Sequence, residues 1–347
     1  MPTPESTPTA PEIAPSEDLL RAPTDKLESS AIPPTSLPES IADTQPLSAP
    51  TKVNPDFEIE SPTKPLPTMP SEFVPTRQLE PVQTFISTPG KHIAVGMKSD
   101  VGMVRQNNQD SLLVFNAMQI GATSMPDFGF FVVADGMGGH EHGERASMLA
   151  ARIIGEYVTR EFYLKLVASG DPMADDMPFI NEVLIDALNK ANEVVSEQIP
   201  EGGTTVTAAA LMGDMAYIAH VGDSRAYLIT VDGMEQVTRD HSLVQRLIEL
   251  EHLTPEEAQR HPQRNVLYRA LGQSENLEID TLTRRLPPGA RLLLCSDGLW
   301  SLVPEEKIIG VLGAANTPQD ACDRLVKMAN ERGGNDNVTV IVVQMPG

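Results

Sequence analysis

The chain of 347 residues lacks several features that would define other classes of protein. No apolar stretch reaches about 18 residues, the length that a membrane-spanning helix needs, so no membrane span is predicted. The formal net charge is -22 and no extended basic segment occurs, which argues against nucleic acid as a partner. Only two cysteines are present, Cys295 and Cys322, which fits a reducing compartment better than a disulfide scaffold. The N-terminus also has no basic region followed by an apolar one, as a secretory signal would. We therefore expect a cytoplasmic protein.

The first 90 residues differ in composition from the rest of the chain. They contain 19 of the 30 prolines, are rich in Ser, Thr and Glu, and have no long apolar run. Such a segment cannot bury enough apolar surface to offset the entropy that it would lose on ordering. We therefore predict a disordered, acidic tail over residues 1–90 and one large folded domain over residues 91–347.

The apolar pattern of the folded part predicts strands and helices in an irregular order. Strands come first, then two helices over residues 141–167 and 179–199, then several strands, further helices and a last strand. Short turns at Gly213-Asp214 and Asp232-Gly233 are typical of antiparallel hairpins. This order disfavours a doubly wound parallel sheet, because that fold alternates strands and helices. It favours an α+β fold of two antiparallel sheets with helices packed outside them.

Aspartates stand at the ends of four apolar runs. Three of them lie beside a glycine and the fourth precedes the run at 338–343; they are Asp135, Asp223, Asp297 and Asp336. Short runs rich in Val, Ile and Phe predict buried strands, so these carboxylates are expected at the rim of a sheet. Four converging carboxylates would repel one another unless cations lay between them. The sequence therefore predicts a site for hard divalent metal ions.

The candidate ligands all offer oxygen atoms, and no ligand-like pairs of cysteine or histidine lie near them in sequence. This composition favours Mg²⁺ or Mn²⁺ over Zn²⁺. Two such ions can activate water and hold a phosphate, so hydrolysis of a phosphate ester is the natural reaction. Arg105 can add a bidentate contact to phosphate oxygens. A single Asp-Gly pair is more often only a turn, and Arg105 could instead be a surface residue paired with Asp110.

Taken together, these residues resemble the bacterial type of the PP2C (PPM) family of metal-dependent serine/threonine protein phosphatases. The resemblance extends over about residues 92–345, with eight motifs in the family's order. The motifs are DVGMVRQNNQDS (100–111), VADGMGGHEHGERAS (133–147), GTT (203–205), HVGDSRAY (220–227), DHS (240–242), RALG (269–272), SDGLW (296–300) and GNDN (334–337). The fold implied is a four-layer α-β-β-α sandwich, which agrees with the predicted element order.

The resemblance also implies how the metal ions are held. Asp135 would bridge two core ions of Mn²⁺ or Mg²⁺, and the carbonyl group of Gly136 would bind one of them. Asp297 and Asp336 would bind the other ion directly. Asp223, together with Asp297, would form a third and weaker metal site.

Other residues receive roles in substrate binding. By resemblance, Asp110 would act through metal-bound water and Arg105 would bind the substrate phosphate. Residues 240–272 would form the flap, a mobile element beside the active site that influences the choice of substrate.

Two residues depart from the pattern of many family members. Gln109 stands where many members have glutamate, which removes one negative charge and predicts weaker metal binding at most. Met137 stands where eukaryotic members have a histidine proposed as general acid. His140 and His142 lie nearby in sequence, but a metal-bound water could serve equally, so the proton donor remains unassigned.

The activity implied is hydrolysis of phosphoserine and phosphothreonine in proteins, without a covalent phosphoenzyme. The expected partners are phosphorylated proteins and a bacterial Ser/Thr kinase system whose action the enzyme reverses, and the family precedent suggests a monomer. One alternative is a module that binds phosphoproteins without hydrolysing them, although such relatives would be expected to lose metal aspartates that this chain keeps. Another is an enzyme with a narrower substrate, a regulator of transcription factors.

Overall fold

The computed structural model describes residues 92–118, 125–139 and 141–347. The tail predicted over residues 1–90 and the histidine at position 140 lie outside the described residues. Within the described part, no helix combines the length and the apolar character needed to cross a membrane.

Eleven strands of the described residues form two antiparallel sheets and a short side pair. In chain order they are β1 Ala94–Asp100, β2 Asp110–Ala117, β3 Phe128–Met137, β4 Gly203–Thr204, β5 Val206–Met212, β6 Met215–Val221, β7 Arg225–Thr230, β8 Gly233–Gln236, β9 Asp280–Arg285, β10 Arg291–Cys295 and β11 Val338–Gln344. The first sheet has the order β1-β11-β10-β7-β8 and the second the order β2-β3-β5-β6-β9, while β4 pairs with β3. All of these strand pairs are antiparallel, as the sequence predicts.

The described residues form eight α-helices, and those that pack on the sheets cover their outer faces. In chain order they are α1 Glu141–Val158, α2 Leu164–Ser169, α3 Ile180–Gln198, α4 Leu243–Glu249, α5 Pro255–Gln259, α6 Asp297–Trp300, α7 Glu305–Ala314 and α8 Pro318–Glu331. A π-helical turn at Thr159–Tyr163 joins α1 to α2 without a break, so the long helix predicted over residues 141–167 is present. It ends at Gly170, whose φ of 69° is a left-handed conformation that glycine adopts without strain.

Alternating side chains of the central strands separate the four layers. In β3, Val132 packs against the layer of α1 and α3, whereas the next residue, Val133, faces the other sheet. In β10, Leu294 faces the space between the sheets, and Leu293 packs with Cys295 against α7 and α8. This period of two follows from the pleat of a strand. The result is a four-layer α-β-β-α arrangement, which confirms the predicted fold class.

Two short elements differ from the sequence-based prediction. The strand β8 (Gly233–Gln236) and the one-turn helix α6 (Asp297–Trp300) are not predicted as separate elements. Each has only four residues. Such a segment is too short to show a hydrophobic period, so only its partners in the fold define it.

Gly96 in β1 gives a test of how closely the outer helix α8 packs on its sheet. A Cβ atom at this position would lie 2.3 Å from the backbone nitrogen of Gln319 and 2.3 Å from the carbonyl carbon of Pro318. Gly96→Ala should therefore force β1 and α8 apart and lower the free energy of unfolding by about 1–3 kcal/mol. Chemical denaturation measures this change.

Gly310→Ala in α7 is the matched control, because no atom lies within 4 Å of the added Cβ. It should be neutral or stabilising by up to about 1 kcal/mol, since alanine favours a helix over glycine. Equal unfolding midpoints for Gly96→Ala and the unsubstituted chain would contradict the close packing.

Candidate metal centre

The predicted site aspartates come from both sheets and from the turns at one end of them. Asp110 begins β2 and lies directly opposite Asp135 of β3, which is two residues before the end of that strand. Asp297 is the first residue of α6, immediately after β10 and Ser296, and Asp336 precedes β11. Asp223 lies in the turn between β6 and β7, where the chain passes from one sheet to the other.

These five carboxylates are close enough to affect one another electrostatically. Burial raises the pKa of Asp135 well above its ordinary value, and the charges of Asp110 and Asp297 raise it further. The pKa of Asp297 is raised in the same way, by burial first and then by the charges of Asp223 and Asp336. Burial also raises the pKa of Asp110 to about 6 and that of Asp223 to about 7. The fold therefore brings together carboxylates that disfavour one another's ionised forms.

Two carboxylate oxygens in this cluster have no protein partner. Asp110 Oδ1 and Asp297 Oδ1 are buried, and neither accepts a hydrogen bond from the described residues. Buried polar atoms are normally paired, so these two are exceptions that call for an explanation. A hard divalent cation would satisfy both oxygens and would also reduce the repulsion among the carboxylates. By this test the residues fit Mn²⁺ or Mg²⁺.

Asp336 is engaged by Arg105. Arg105 Nη2 donates to Asp336 Oδ2 at 2.7 Å, and the backbone nitrogen of Asn337 donates to Asp336 Oδ1 at 2.9 Å. The alternative in which Arg105 pairs with Asp110 therefore names the wrong partner. Among the described residues, no three Asp, Glu, His or Cys side chains are placed to bind a single ion together. An ion at Asp336 would have to compete with the Arg105 guanidinium.

Gly136 is required by close backbone packing. A Cβ atom there would lie 2.1 Å from the carbonyl oxygen of Gly143 and 2.6 Å from that of Gln109. The Gly136 nitrogen also donates to the Gln109 carbonyl at 3.0 Å. A side chain at this position would displace the chain next to Asp135, so the glycine keeps the carboxylate in place.

Threonines that follow α3 hold the backbone of Asp135. The nitrogen of Thr205 and the hydroxyl group of Thr204 both donate to the Asp135 carbonyl, at 2.8 and 2.9 Å. The Asp135 nitrogen donates to Thr205 Oγ1 at 3.0 Å. The same hydroxyl lies 2.7 Å from Ser224 Oγ, which links this segment to the Asp223 turn.

Two further residues organise the site, Ser296 and Asn337. The sequence predicts no role for either of them. Ser296 Oγ donates to Asp110 Oδ2 at 2.7 Å, which orients that carboxylate. Asn337 is only 3% exposed, and its Nδ2 donates to the carbonyl groups of Val101 and Asn107, both at 2.9 Å. Its Oδ1 accepts from the Gln109 nitrogen at 2.8 Å. In the sequence, asparagines flank Asp336 on both sides, and nothing in that pattern indicates which of the two is buried.

Gln109 and Met137, the two residues that depart from the family pattern, contact neighbouring loops. Gln109 Nε2 donates to the Gly138 carbonyl at 3.4 Å, and Gln273 Nε2 lies 3.5 Å from the sulfur of Met137. His142 Nδ1 lies 3.6 Å from Glu201 Oε2. A cleft of about 430 Å³ opens here, lined by Asn107, Gly139, Glu141, His142 and Glu201.

The segment predicted as the flap, residues 240–272, is attached at both of its ends. Leu271 exchanges two backbone hydrogen bonds with Thr204, each 2.9 Å long. At the other end, the His241 nitrogen donates to the Gly222 carbonyl at 2.7 Å. Between these ends lie α4 and α5, and no residue of α4 is buried. A helix without buried residues separates from its neighbours at low free-energy cost, whereas α5 is held by the buried Ala258.

Asn337 provides a test of how the loop over 101–109 is held. Asn337→Ala would leave two carbonyl groups and one N–H group of that loop without their partner, at about 1–3 kcal/mol for each group that stays buried. We expect lower thermal stability and weaker Mn²⁺ binding, because Asp336 is adjacent. Differential scanning calorimetry and calorimetric titration with Mn²⁺ measure the two effects.

The matched control is Asn335→Ala on the other side of Asp336, where the side chain is exposed. It should leave both properties close to those of the unsubstituted chain. Equal effects of the two substitutions would show that the hydrogen bonds of Asn337 do not organise the loop.

Comparisons with known proteins agree on one family. A family model described as protein phosphatase 2C matches residues 104–333. The serine/threonine phosphatase stp of Listeria innocua serovar 6a is 36% identical over 252 residues, which cover 71% of this chain and 94% of that protein.

Solved structures give the same result. The serine/threonine phosphatase PstP/Ppp of Mycobacterium tuberculosis superposes with a TM-score of 0.61 at 33% identity, covering 74% of this chain and 99% of that chain. The catalytic domain of the phosphatase PstP in complex with two manganese ions superposes with a TM-score of 0.59 at 32% identity, again covering 74% and 99%.

Proposed function

The chain belongs to the protein phosphatase 2C family and is a metal-dependent serine/threonine protein phosphatase, and we propose that the carboxylate cluster between its two sheets is the metal centre of that activity. The family and the class of enzyme predicted from the sequence are thereby confirmed. The related PstP structure with two manganese ions also agrees with the predicted kind and number of core ions.

We assign Asp135, Asp297, Asp336 and the carbonyl group of Gly136 as the groups that would hold the two core ions. For three of these carboxylates to share one ion, their side chains would have to move closer together than the structure places them. Asp223 with Asp297 would hold a third, more weakly bound ion. The observation that supports this assignment is the pair of unpartnered buried oxygens, on Asp110 and Asp297, inside a cluster of mutually repelling carboxylates. When bound, the ions supply an activated water and positive charge for the phosphoryl group.

The protein itself holds the site carboxylates in position and provides Arg105 for the substrate phosphate. Thr204 and Thr205 hold the backbone of Asp135, and Ser296 orients Asp110, so that these carboxylates need little rearrangement. Arg105 is 49% exposed in its side chain, so a phosphate can reach its guanidinium group. We propose that Arg105 exchanges one contact with Asp336 for a substrate phosphate oxygen.

The finer features of function are proposals of the same kind. The enzyme acts on phosphoproteins, and we propose that it reverses the action of a Ser/Thr kinase as a cytoplasmic monomer that does not bind nucleic acid. The net charge of -22 supports the last point, because a polyanion would be repelled. A module that only binds phosphoproteins is less consistent with a chain that keeps all five carboxylates together.

The assignment of Asp135 predicts the outcome of its removal. Asp135→Ala in the full chain should abolish phosphate release from a phosphothreonine peptide with Mn²⁺, while the far-UV circular dichroism stays unchanged. Excess EDTA should abolish the activity of the unsubstituted enzyme as well. The control Asp176→Ala changes an exposed carboxylate between α2 and α3 and should keep full activity. Turnover by folded Asp135→Ala would refute the assigned role.

The proposed role of Arg105 predicts a defect in substrate binding. Arg105→Lys keeps the charge but loses the planar fork, so KM for the phosphopeptide should rise about tenfold, or ~1.4 kcal/mol. Steady-state kinetics at saturating Mn²⁺ separate KM from kcat. Arg324→Lys, at an exposed arginine of α8 paired with Asp320, should leave both constants unchanged. A rise only in the Mn²⁺ requirement would instead place Arg105 with the metal ligands.

A further inference from the structure

Arg225 connects the beginning of the flap to the carboxylate cluster. Its Nε and Nη2 atoms donate to the two carboxylate oxygens of Asp240, at 3.0 and 2.7 Å. Its Nη1 donates to the hydroxyl group of Tyr227 at 2.9 Å, and Gln236 Nε2 donates to Asp240 Oδ1 at 3.0 Å. The side chains of Arg225 and Asp240 are only 17% and 5% exposed. A buried bidentate pair of this kind has a defined geometry.

Trp300 lies between this ion pair and the Asp223 turn. The Arg225 Cζ atom is 3.7 Å from the centroid of the Trp300 ring, which is the geometry of a cation–π contact. On its other side, the indole Nε1 donates to the carbonyl oxygen of Asp223 at 3.0 Å. Trp300 is also the last residue of α6, whose first residue is Asp297. One aromatic side chain thus connects both residues assigned to the third metal site.

The next residue of the flap holds the same turn directly. The Gly222 nitrogen donates to His241 Nδ1 at 3.0 Å, and the His241 nitrogen donates to the Gly222 carbonyl at 2.7 Å. Two consecutive flap residues, Asp240 and His241, therefore hold Gly222 and Asp223 through different contacts. A displacement of Asp240 and His241, which we call the flap base, would change both sets of contacts.

We propose that Trp300 and Arg225 are positioning residues that fix the backbone of Asp223 and so make metal binding at Asp223 depend on the flap base at Asp240. This inference rests on the proposed assignment of Asp223 to the third metal site. Removal of a group that orients a metal ligand without touching the ion commonly changes metal affinity 10–100-fold. Neither side chain needs to touch the ion or the substrate for this effect.

Trp300 is the only tryptophan of the chain, so its fluorescence reports on this contact in the full-length protein. We expect the weakest step of a titration with Mn²⁺ alone to change the emission of Trp300. Asp223→Asn should remove that step in calorimetry and the emission change with it. This measurement requires no substitution at Arg225 or Trp300.

Two substitutions test the proposed contacts themselves. Trp300→Phe keeps a ring below the guanidinium group but removes the N–H donor to Asp223, and Arg225→Lys removes the bidentate contact with Asp240. In calorimetric titration with Mn²⁺, each should weaken the weakest step about tenfold and leave the tighter steps within about twofold. Arg324→Lys on α8 is the matched control and should leave all steps unchanged.

The outcomes separate this inference from the proposed function. If Asp223→Asn keeps the weakest step, the assignment of Asp223 is wrong and the inference fails with it. If Asp223→Asn loses that step but folded Trp300→Phe and Arg225→Lys retain it at full affinity, only the positioning role is refuted. If the two variants do not fold, unchanged Trp300 emission through the step that Asp223→Asn removes refutes it equally.

Discussion

The fold holds together several carboxylates that repel one another, and the rest of the structure serves this arrangement. Asp110 and Asp135 face each other across two paired strands, and Asp297 approaches them from the other sheet. Burial strengthens the repulsion, because it removes the water that would screen these charges. Hydrophobic packing between the two sheets opposes this cost. A cation converts the same arrangement from a repulsive cluster into a bound site.

Hydrogen bonds to backbone groups give the cluster its precision. The threonines of β4 and its continuation hold the chain at Asp135, and Asn337 joins the loop that carries Arg105 to the strand that follows Asp336. These contacts act on backbone atoms, whose positions are set by the sheets, and not on the carboxylate oxygens. The contacts of Thr204 and Thr205 thus fix the backbone of Asp135 without using its carboxylate oxygens.

The flap is connected to this centre at its ends, and its helix α4 has no buried residue. Asp240 is linked to the Asp223 turn through Arg225 and Trp300, His241 bonds Gly222 directly, and Leu271 pairs with Thr204 next to Asp135. Both ends of the predicted flap therefore contact segments that carry residues of the carboxylate cluster. This geometry gives a physical route by which a molecule bound on the flap can affect metal binding.

The sequence by itself determined the class of fold and the family, and it predicted which carboxylates form the site. Short apolar runs that lead into Asp135, Asp223 and Asp297 are local patterns, and local patterns remain readable without a structure. Contacts between distant residues are not readable in this way. The partner of Arg105 is Asp336, 231 positions away, whereas the alternative read from the sequence was a pairing with the nearby Asp110. Only the packing of the two sheets decided it, because that packing sets which loop ends meet.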